Sequence, residues 1–132
     1  MAQVVHQMNV MTYSMQCWRG PTGPRQSTGS GIVAEDNAMS YRKIVANYGL
    51  GARRWVDGAK AAYLSYASAT GPQGCTFISY EDEPSAAAKM NYVRSAGLGG
   101  AIVWTIAQGY LPNAAGERDP VLRAAWDALI PP

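Results

Sequence analysis

The segment that decides the fold reads EDEPSAAAKMNYVRSAGLGGAIVWT, residues 81–105. Its acidic, proline-marked opening at Asp82 and Pro84 predicts a helix start, because carboxylates suit the positive end of a helix dipole. Apolar side chains then recur at helical spacing and form a core-facing stripe: Ala86, Met90 and Val93. Gly97 predicts the left-handed C-terminal stop of this helix.

An apolar run follows and predicts a buried strand over Ala101–Ile106. A run without polar alternation is typical of a strand covered on both faces, as in a parallel sheet flanked by helices. A last helix is predicted over Pro120–Leu129, with Asp119 as its N-cap and Trp126 on its core-facing stripe. Helix, strand and helix at short spacing indicate an α/β fold, with α+β as the alternative.

The upstream part divides into shorter elements. A strand is predicted over residues 7–12, and the glycine, proline and serine content of residues 20–31 predicts a loop. A helix is expected from Tyr41 to Gly49, because apolar residues share one helical face and glycine can end it. Short strands are expected around the Asp57-Gly58 turn signal, and a further strand begins at Cys75.

Composition excludes several classes of protein. A chain of 132 residues with 48% apolar residues suits one packed domain, and a net charge of +2 does not suggest a nucleic-acid partner. No apolar run approaches the roughly 18 residues of a membrane helix, and the N-terminus lacks the features of a secretory signal, so the cellular location stays open.

The sequence contains few residues that could bind a metal or form a catalytic pair with histidine. His6 is the single histidine, which argues against a Ser–His or Cys–His hydrolase. No cysteine or histidine cluster predicts a metal, and nothing predicts a cofactor. Cys17 and Cys75 could form one disulfide or remain buried thiols, and their spacing does not decide between these states.

Three ordered motifs resemble the C-terminal part of the glycoside hydrolase family 18 chitinases. FISYEDEPSAAAKMNYVRSAGLGGAIVWT (77–105) is similar to the family's signature of an acidic run, a helix, Gly-Leu-Gly-Gly and a strand bearing tryptophan. MNVMTYSM (8–15) resembles the sixth barrel strand, and WVDGAKAAYL (55–64) resembles part of the small α+β insertion. The resemblance covers nearly the whole chain.

The departures from the family are equally specific. The family fold is an eight-stranded β/α barrel of about 250 residues, so the resemblance implies a truncated or internally deleted chain that begins at the sixth strand. We expect one domain over residues 1–132, a partial barrel with an insertion-derived part at 36–80 and a helix–strand–helix unit at 82–130. Open sheet edges and uncovered apolar surface would favour completion as a homo-oligomer.

The resemblance also proposes substrate-binding residues, with a packing alternative for each. Tyr13 matches a tyrosine that hydrogen-bonds the N-acetyl group of the reacting sugar, but it could equally be a half-buried tyrosine at a strand end. Met11 would line the pocket or pack in the core. Trp104 matches the tryptophan that forms the floor under the sugar, although another chain or element could cover it. Trp18 is a further aromatic candidate.

The family's catalytic signature, Asp-x-x-Asp-x-Asp-x-Glu, is absent from the sequence. The resemblance therefore leads us to expect no catalytic residue, and the enzymatic status of the chain stays open. Three functions compete: a chitin-oligosaccharide-binding fragment without catalysis, a hydrolase that improvises its acid from Asp36, Asp57 or Glu81 in an oligomer, and a non-enzymatic self-associating protein.

Overall fold

The computed structural model describes residues 15–19 and 32–131. The strand predicted over residues 7–12 and the loop predicted over 20–31 lie outside these residues. None of the described helices is long and apolar enough to cross a membrane.

The described part of the chain contains five strands and three α-helices. In chain order these are β1 (Gln16–Trp18), β2 (Ile32–Glu35), α1 (Tyr41–Tyr48), β3 (Arg53–Val56), β4 (Ala61–Thr70), β5 (Cys75–Tyr80), α2 (Glu83–Ser95) and α3 (Pro120–Leu129). Short 3₁₀ helices cover Asp36–Met39, Asp57–Ala59 and Ile106–Gln108.

The strands form a single sheet of order β2-β1-β5-β4-β3 within the described residues, and every pairing is antiparallel. This corresponds to the α+β alternative, since an α/β barrel is built on parallel strands. The β4–β5 hairpin turns at residues 71–74. Gly71 has a φ of 67°, and a Cβ there would lie 2.3 Å from the Tyr48 ring, so both backbone and space require glycine.

One face of the sheet packs against α1 and builds the larger core. Alternate residues of β4 and β5 are fully buried on this face, because side chains of a strand alternate between its two sides. The fully buried core includes Met39, Ile44, Leu64 and Ile78. The helix predicted from Tyr41 and the strand beginning at Cys75 are therefore confirmed.

Helix α2 begins at a capping box. Asp82 is 1% exposed, and its carboxylate accepts a hydrogen bond from the Ser85 backbone N–H at 3.0 Å, while Ser85 Oγ accepts from the Asp82 N–H. Arg53 of β3 donates from Nε to the same carboxylate at 2.6 Å. The predicted helix start is confirmed, and its cap also ties α2 to the sheet.

Helices α2 and α3 pack against each other through a smaller cluster of small and flexible side chains, Ala86, Met90 and Ala125. Trp126 is not part of this core, contrary to the prediction from the helical stripe, because it is 57% exposed. The stripe of α3 is wider than the surface that α2 covers, so its edge faces solvent.

The strand predicted over Ala101–Ile106 is wrong. Residues 101–103 are irregular, and a 3₁₀ turn begins at Ile106. Ile102 is 51% exposed, although the pattern predicted burial. A strand needs neighbouring strands to pair its backbone groups, and none of the described strands pairs with this segment.

The two cysteines form a disulfide between β1 and the start of β5. Both residues are fully buried in the larger core. The bond closes a loop with a sequence separation of 58 residues, which restricts the unfolded chain strongly.

We predict that the double variant Cys17→Ala/Cys75→Ala loses about 4 kcal/mol in free energy of unfolding, because the loop-closure entropy returns to the unfolded state. Urea unfolding of the oxidised protein and the variant measures the difference. An unchanged free energy of unfolding would contradict stabilisation of the folded chain by the disulfide.

Two tyrosines stack between α1 and β5 beside the α2 cap. The ring centroids of Tyr41 and Tyr80 lie 6.3 Å apart, and Tyr41 donates its hydroxyl hydrogen bond to Glu83 at 3.1 Å. The Tyr80 hydroxyl is buried without a hydrogen-bond partner in the described part of the chain. Burial, with the nearby Asp82 carboxylate, raises the pKa of Tyr80 to about 12.

We predict that ionisation of Tyr80 leaves the free energy of unfolding unchanged below pH 10 and lowers it as the pH rises from 10 towards 12. The unfolded Tyr80, with its ordinary pKa of 10.0, loses its proton first, so alkaline pH favours the unfolded state. Tyr80→Phe should weaken this pH dependence without abolishing it, because burial also raises the pKa values of Tyr41, Tyr48 and Tyr66. Tyr92→Phe, at an exposed position of α2, is the control and should change it less. Urea unfolding across this pH range tests both variants, and equal slopes would contradict the assignment.

Candidate functional site

Among the four predicted binding residues, the structure describes the side chain of Trp104 alone. Tyr13 and Met11 lie outside the described residues. Trp18 is the last residue of β1, but its side chain is also outside the described part of the structure. The assignment of these four residues to substrate binding therefore stays a prediction.

Trp104 reaches its position through the end of α2. Gly97 has a φ of 65°, and the chain reverses in a Schellman motif: the Leu98 N–H donates to the Val93 carbonyl at 3.0 Å, and the Gly97 N–H donates to the Arg94 carbonyl at 3.1 Å. The predicted glycine stop is confirmed. After this motif the chain continues towards the α2–α3 pair.

Ala101 is partly buried against the α2–α3 cluster and anchors the segment that follows. Beyond this anchor the side chains face solvent, and the indole of Trp104 is 64% exposed. The Trp104–Thr105 peptide bond is cis. The segment that carries the indole lies between Ala101 and the 3₁₀ turn at Ile106–Gln108.

Trp104 lies in an exposed apolar loop, which we define as Ile102, Val103, Trp104 and Ile106. All four side chains are exposed. Contiguous exposed apolar side chains mark an interaction surface, because a protein gains free energy when such a patch is covered. Either a ligand or another protein surface would cover these four side chains.

The described acidic candidates are engaged in local ion pairs. Asp57 is exposed, and its carboxylate accepts hydrogen bonds from Lys60 Nζ at 2.6 Å and from Trp55 Nε1 at 3.4 Å. The hydrogen bond from Lys60 lowers the pKa of Asp57. A carboxyl group that acts as a general acid needs a pKa raised towards the working pH. The pKa of Asp57 is lowered instead, which does not suit that role.

Glu81, the second described candidate, accepts hydrogen bonds from Lys89 and from Ser85 Oγ. It thereby supports the start of α2. The side chain of Asp36 is outside the described part of the structure. Within the described residues no group of histidine, cysteine and carboxylate side chains could hold a metal ion.

The sequence profile of Glycosyl hydrolases family 18 matches residues 25–109, well over half of the chain. The chain belongs to glycosyl hydrolase family 18. The resemblance that the motifs indicated is confirmed, and the match includes Trp104 while Met11, Tyr13 and Trp18 lie outside it.

Two curated relatives of this family 18 chain are chitinases. Chitinase A1 from Niallia circulans is 33% identical over 122 residues, which cover 87% of this chain and 16% of the relative. A class V chitinase from Lotus japonicus is 36% identical over 75 residues, 56% of this chain and 17% of the relative. The chain spans about a sixth of the length of each.

Solved structures show the same fold relationship. An immunomodulatory active chitinase from Trichuris suis superposes with a TM-score of 0.64 at 22% identity, covering 93% of this chain and 35% of the other. Chitinase ChiW from Paenibacillus sp. str. FPU-7 gives a TM-score of 0.59 at 28% identity, with 93% and 13% covered. The family 18 chain therefore has the fold of a part of a chitinase.

Sequence analysis overlooked two aromatic residues that the structure brings together on the sheet. The rings of Tyr63 and Phe77 stack with centroids 5.3 Å apart. The signal was present as the alternation of AAYLSY and CTFISY in β4 and β5, but each segment alone indicates only a strand. The pairing of the two strands decides that their aromatic side chains meet.

Proposed function

We propose that this family 18 chain binds chitin-type oligosaccharides through Trp104 without hydrolysing them. The exposure of the Trp104 indole, at the position where the family resemblance places a sugar-stacking tryptophan, carries the proposal. The names of the two curated relatives support a chitin-type ligand. Tyr13, Met11 and Trp18 remain proposed contributors to the same site.

The chemistry of an indole suits this ligand. A pyranose ring presents flat C–H faces, and a flat aromatic surface covers them while the sugar hydroxyls stay hydrated at the rim. Trp104 is 64% exposed, so much of the residue is accessible to such a contact. Its apolar neighbours Ile102 and Val103 extend the surface along the chain.

The proposed absence of catalysis rests on the missing acid. Family 18 hydrolysis requires a glutamate that protonates the glycosidic oxygen, and the motif that supplies it is absent from this sequence. Asp57 has a lowered pKa and an ion-pair partner, so it does not replace that acid. We expect no release of sugar from chitotetraose by this chain.

We predict that chitotetraose shifts the Trp104 indole N–H signal in an amide–nitrogen correlation spectrum, and that Trp104→Ala weakens binding at least about tenfold, since such anchors contribute about 2 kcal/mol. Trp126→Ala is the matched control, because Trp126 is 57% exposed on α3 and should leave affinity unchanged. Equal affinities for the two variants, or no shift of the Trp104 signal, would refute the proposed site.

The exposed apolar loop favours a second candidate function, self-association. In this case the surface around Trp104 contacts another copy of the chain, and the sugar contact is ancestral. The observation that favours it is the exposure of Ile102, Val103 and Ile106 beside Trp104, which an isolated chain leaves uncovered.

For this second candidate we predict a homo-oligomer that Ile102→Glu converts towards monomer, because the new carboxylate would be buried in an apolar contact. Tyr92→Glu, at another exposed position, should leave the oligomer intact. Light scattering over a dilution series measures the mass. A monomer at all concentrations would exclude self-association.

A further inference from the structure

A groove lies between helix α1 and the loop at residues 111–114. Its volume is about 570 Å³, and it is lined by residues 42, 43 and 45–47 of α1 together with residues 111–114 of the loop. We name it the α1–loop groove. Its volume is in the range of sites that take a small ligand or a short piece of another chain.

Both walls of the α1–loop groove rest on the larger core. On the loop side, Leu111 packs against that core, and its N–H donates a hydrogen bond to the Arg118 carbonyl at 2.7 Å. The Ala114 N–H closes a turn by donating to the Leu111 carbonyl at 3.2 Å. On the helix side, Ile44 of α1 is fully buried in the same core. The groove is therefore formed by the folded chain before a ligand enters it.

The groove is positively charged. Arg42 and Lys43 line it, and none of its nine described lining residues carries a carboxylate. Arg42 is exposed and forms no ion pair with any described residue. Both cations lie in the first turn of α1, which contains no acidic residue, and the positive end of the helix dipole disfavours cations there. Arg42 thus does not stabilise its own helix, and the groove favours an anionic ligand.

Unpaired amide side chains stand on both walls. Asn47 of α1 and Asn113 of the loop are exposed, and neither carboxamide has a hydrogen-bond partner among the described residues. A carboxamide both donates and accepts, which matches the alternating N–H and C=O groups of a peptide backbone. Apolar lining residues, among them Val45, Leu111 and Pro112, suit apolar side chains beside that backbone.

The lining does not suit a sugar or a nucleic acid. None of the nine described lining residues is aromatic, so neither a pyranose ring nor a base can stack on a flat surface there. Two cations are also fewer than the basic stripe that a nucleic acid requires. An acidic peptide with apolar neighbours satisfies the cationic, amide and apolar parts of the groove together.

We propose that the α1–loop groove binds an extended peptide segment of a protein partner, with one carboxylate side chain between apolar side chains. The carboxylate accepts a charge-assisted hydrogen bond from the Arg42 guanidinium, and the peptide backbone pairs with Asn47 and Asn113. This inference does not rest on the proposed function, because its ligand and its residues differ from those at Trp104.

The peptide acetyl-Ala-Leu-Glu-Leu-Ala-amide is the probe, and the same peptide with glutamine in place of glutamate is the ligand control. In amide–nitrogen correlation spectra, the side-chain NH₂ signals of Asn47 and Asn113 report on the two walls of the groove. We expect the probe to shift both pairs of signals saturably. The glutamine peptide should bind at least about tenfold more weakly, because it lacks the charge-assisted hydrogen bond.

Two variants of the groove test the assignment. Arg42→Glu should weaken binding of the probe at least about tenfold, and a carboxylate in the first turn does not oppose α1. Arg54→Glu is the matched control, because Arg54 is exposed on β3 outside the groove and undergoes the same change of charge. Ala46→Phe keeps both cations but fills the groove, and it should also abolish the shift at Asn113. Dispersed amide spectra establish that each variant is folded.

The outcomes separate this inference from the proposed function. Shifts that Arg42→Glu and Arg54→Glu reduce equally, or a glutamine peptide that binds as tightly as the probe, would overturn it. A hyaluronan tetrasaccharide that shifts the asparagine signals when the peptide does not would make the groove a site for an anionic glycan and also overturn it. Chitotetraose should leave these signals unchanged, and its effect on the Trp104 indole decides the proposed function alone.

Discussion

The buried carboxylate of Asp82 joins the two parts of the structure. It caps α2 through the Ser85 N–H and holds Arg53 of β3 at 2.6 Å. A carboxylate that is 1% exposed would be costly without these partners, since burial of an unpaired charge is strongly unfavourable. The cap therefore sets where α2 begins, and the pairing with Arg53 sets where that helix stands relative to the sheet edge.

The consequences of this junction reach the segment that carries Trp104. Helix α2 runs from the cap to the Schellman motif at Gly97, and the segment that contains Trp104 follows this motif. On the other side of the junction, β3, β4 and β5 hold Tyr63 and Phe77 in register. The disulfide adds β1 to the same sheet by linking Cys17 to Cys75. The arrangement of the helices on the sheet thus depends on contacts between residues that are distant in sequence.

Apolar side chains are exposed at Ile102, Val103, Trp104 and Ile106. The sequence pattern of residues 101–106 is typical of a strand covered on both sides, but none of the described strands pairs with this segment. Its side chains therefore face solvent. A glycan bound to the indole and a second copy of the chain bound to the loop would cover the same surface. The first function needs the Trp104 indole to be accessible, whereas the second buries it.

Local features were predictable from the sequence because they depend on residues a few positions apart. Asp82 with Ser85 makes the α2 cap, Gly97 ends that helix by its positive φ, and the alternation in β5 gives a strand. The family motifs also predicted the relationship that the profile match confirmed. Of the four residues proposed for the site, Trp104 alone has its side chain in the described structure, and its role in binding stays a prediction.

Tertiary structure decided the rest. The spacing of Cys17 and Cys75 left their pairing open, and strand β1 had to join β5 before the two sulfurs could meet. The apolar run at 101–106 did not become a strand, and Trp126 did not enter a core, because burial depends on which elements lie opposite. The sequence by itself determined the family, the helix ends and the strand alternation. Only the packed chain decided which aromatic faces reach solvent, because local periodicity says which residues share a side and not what covers that side.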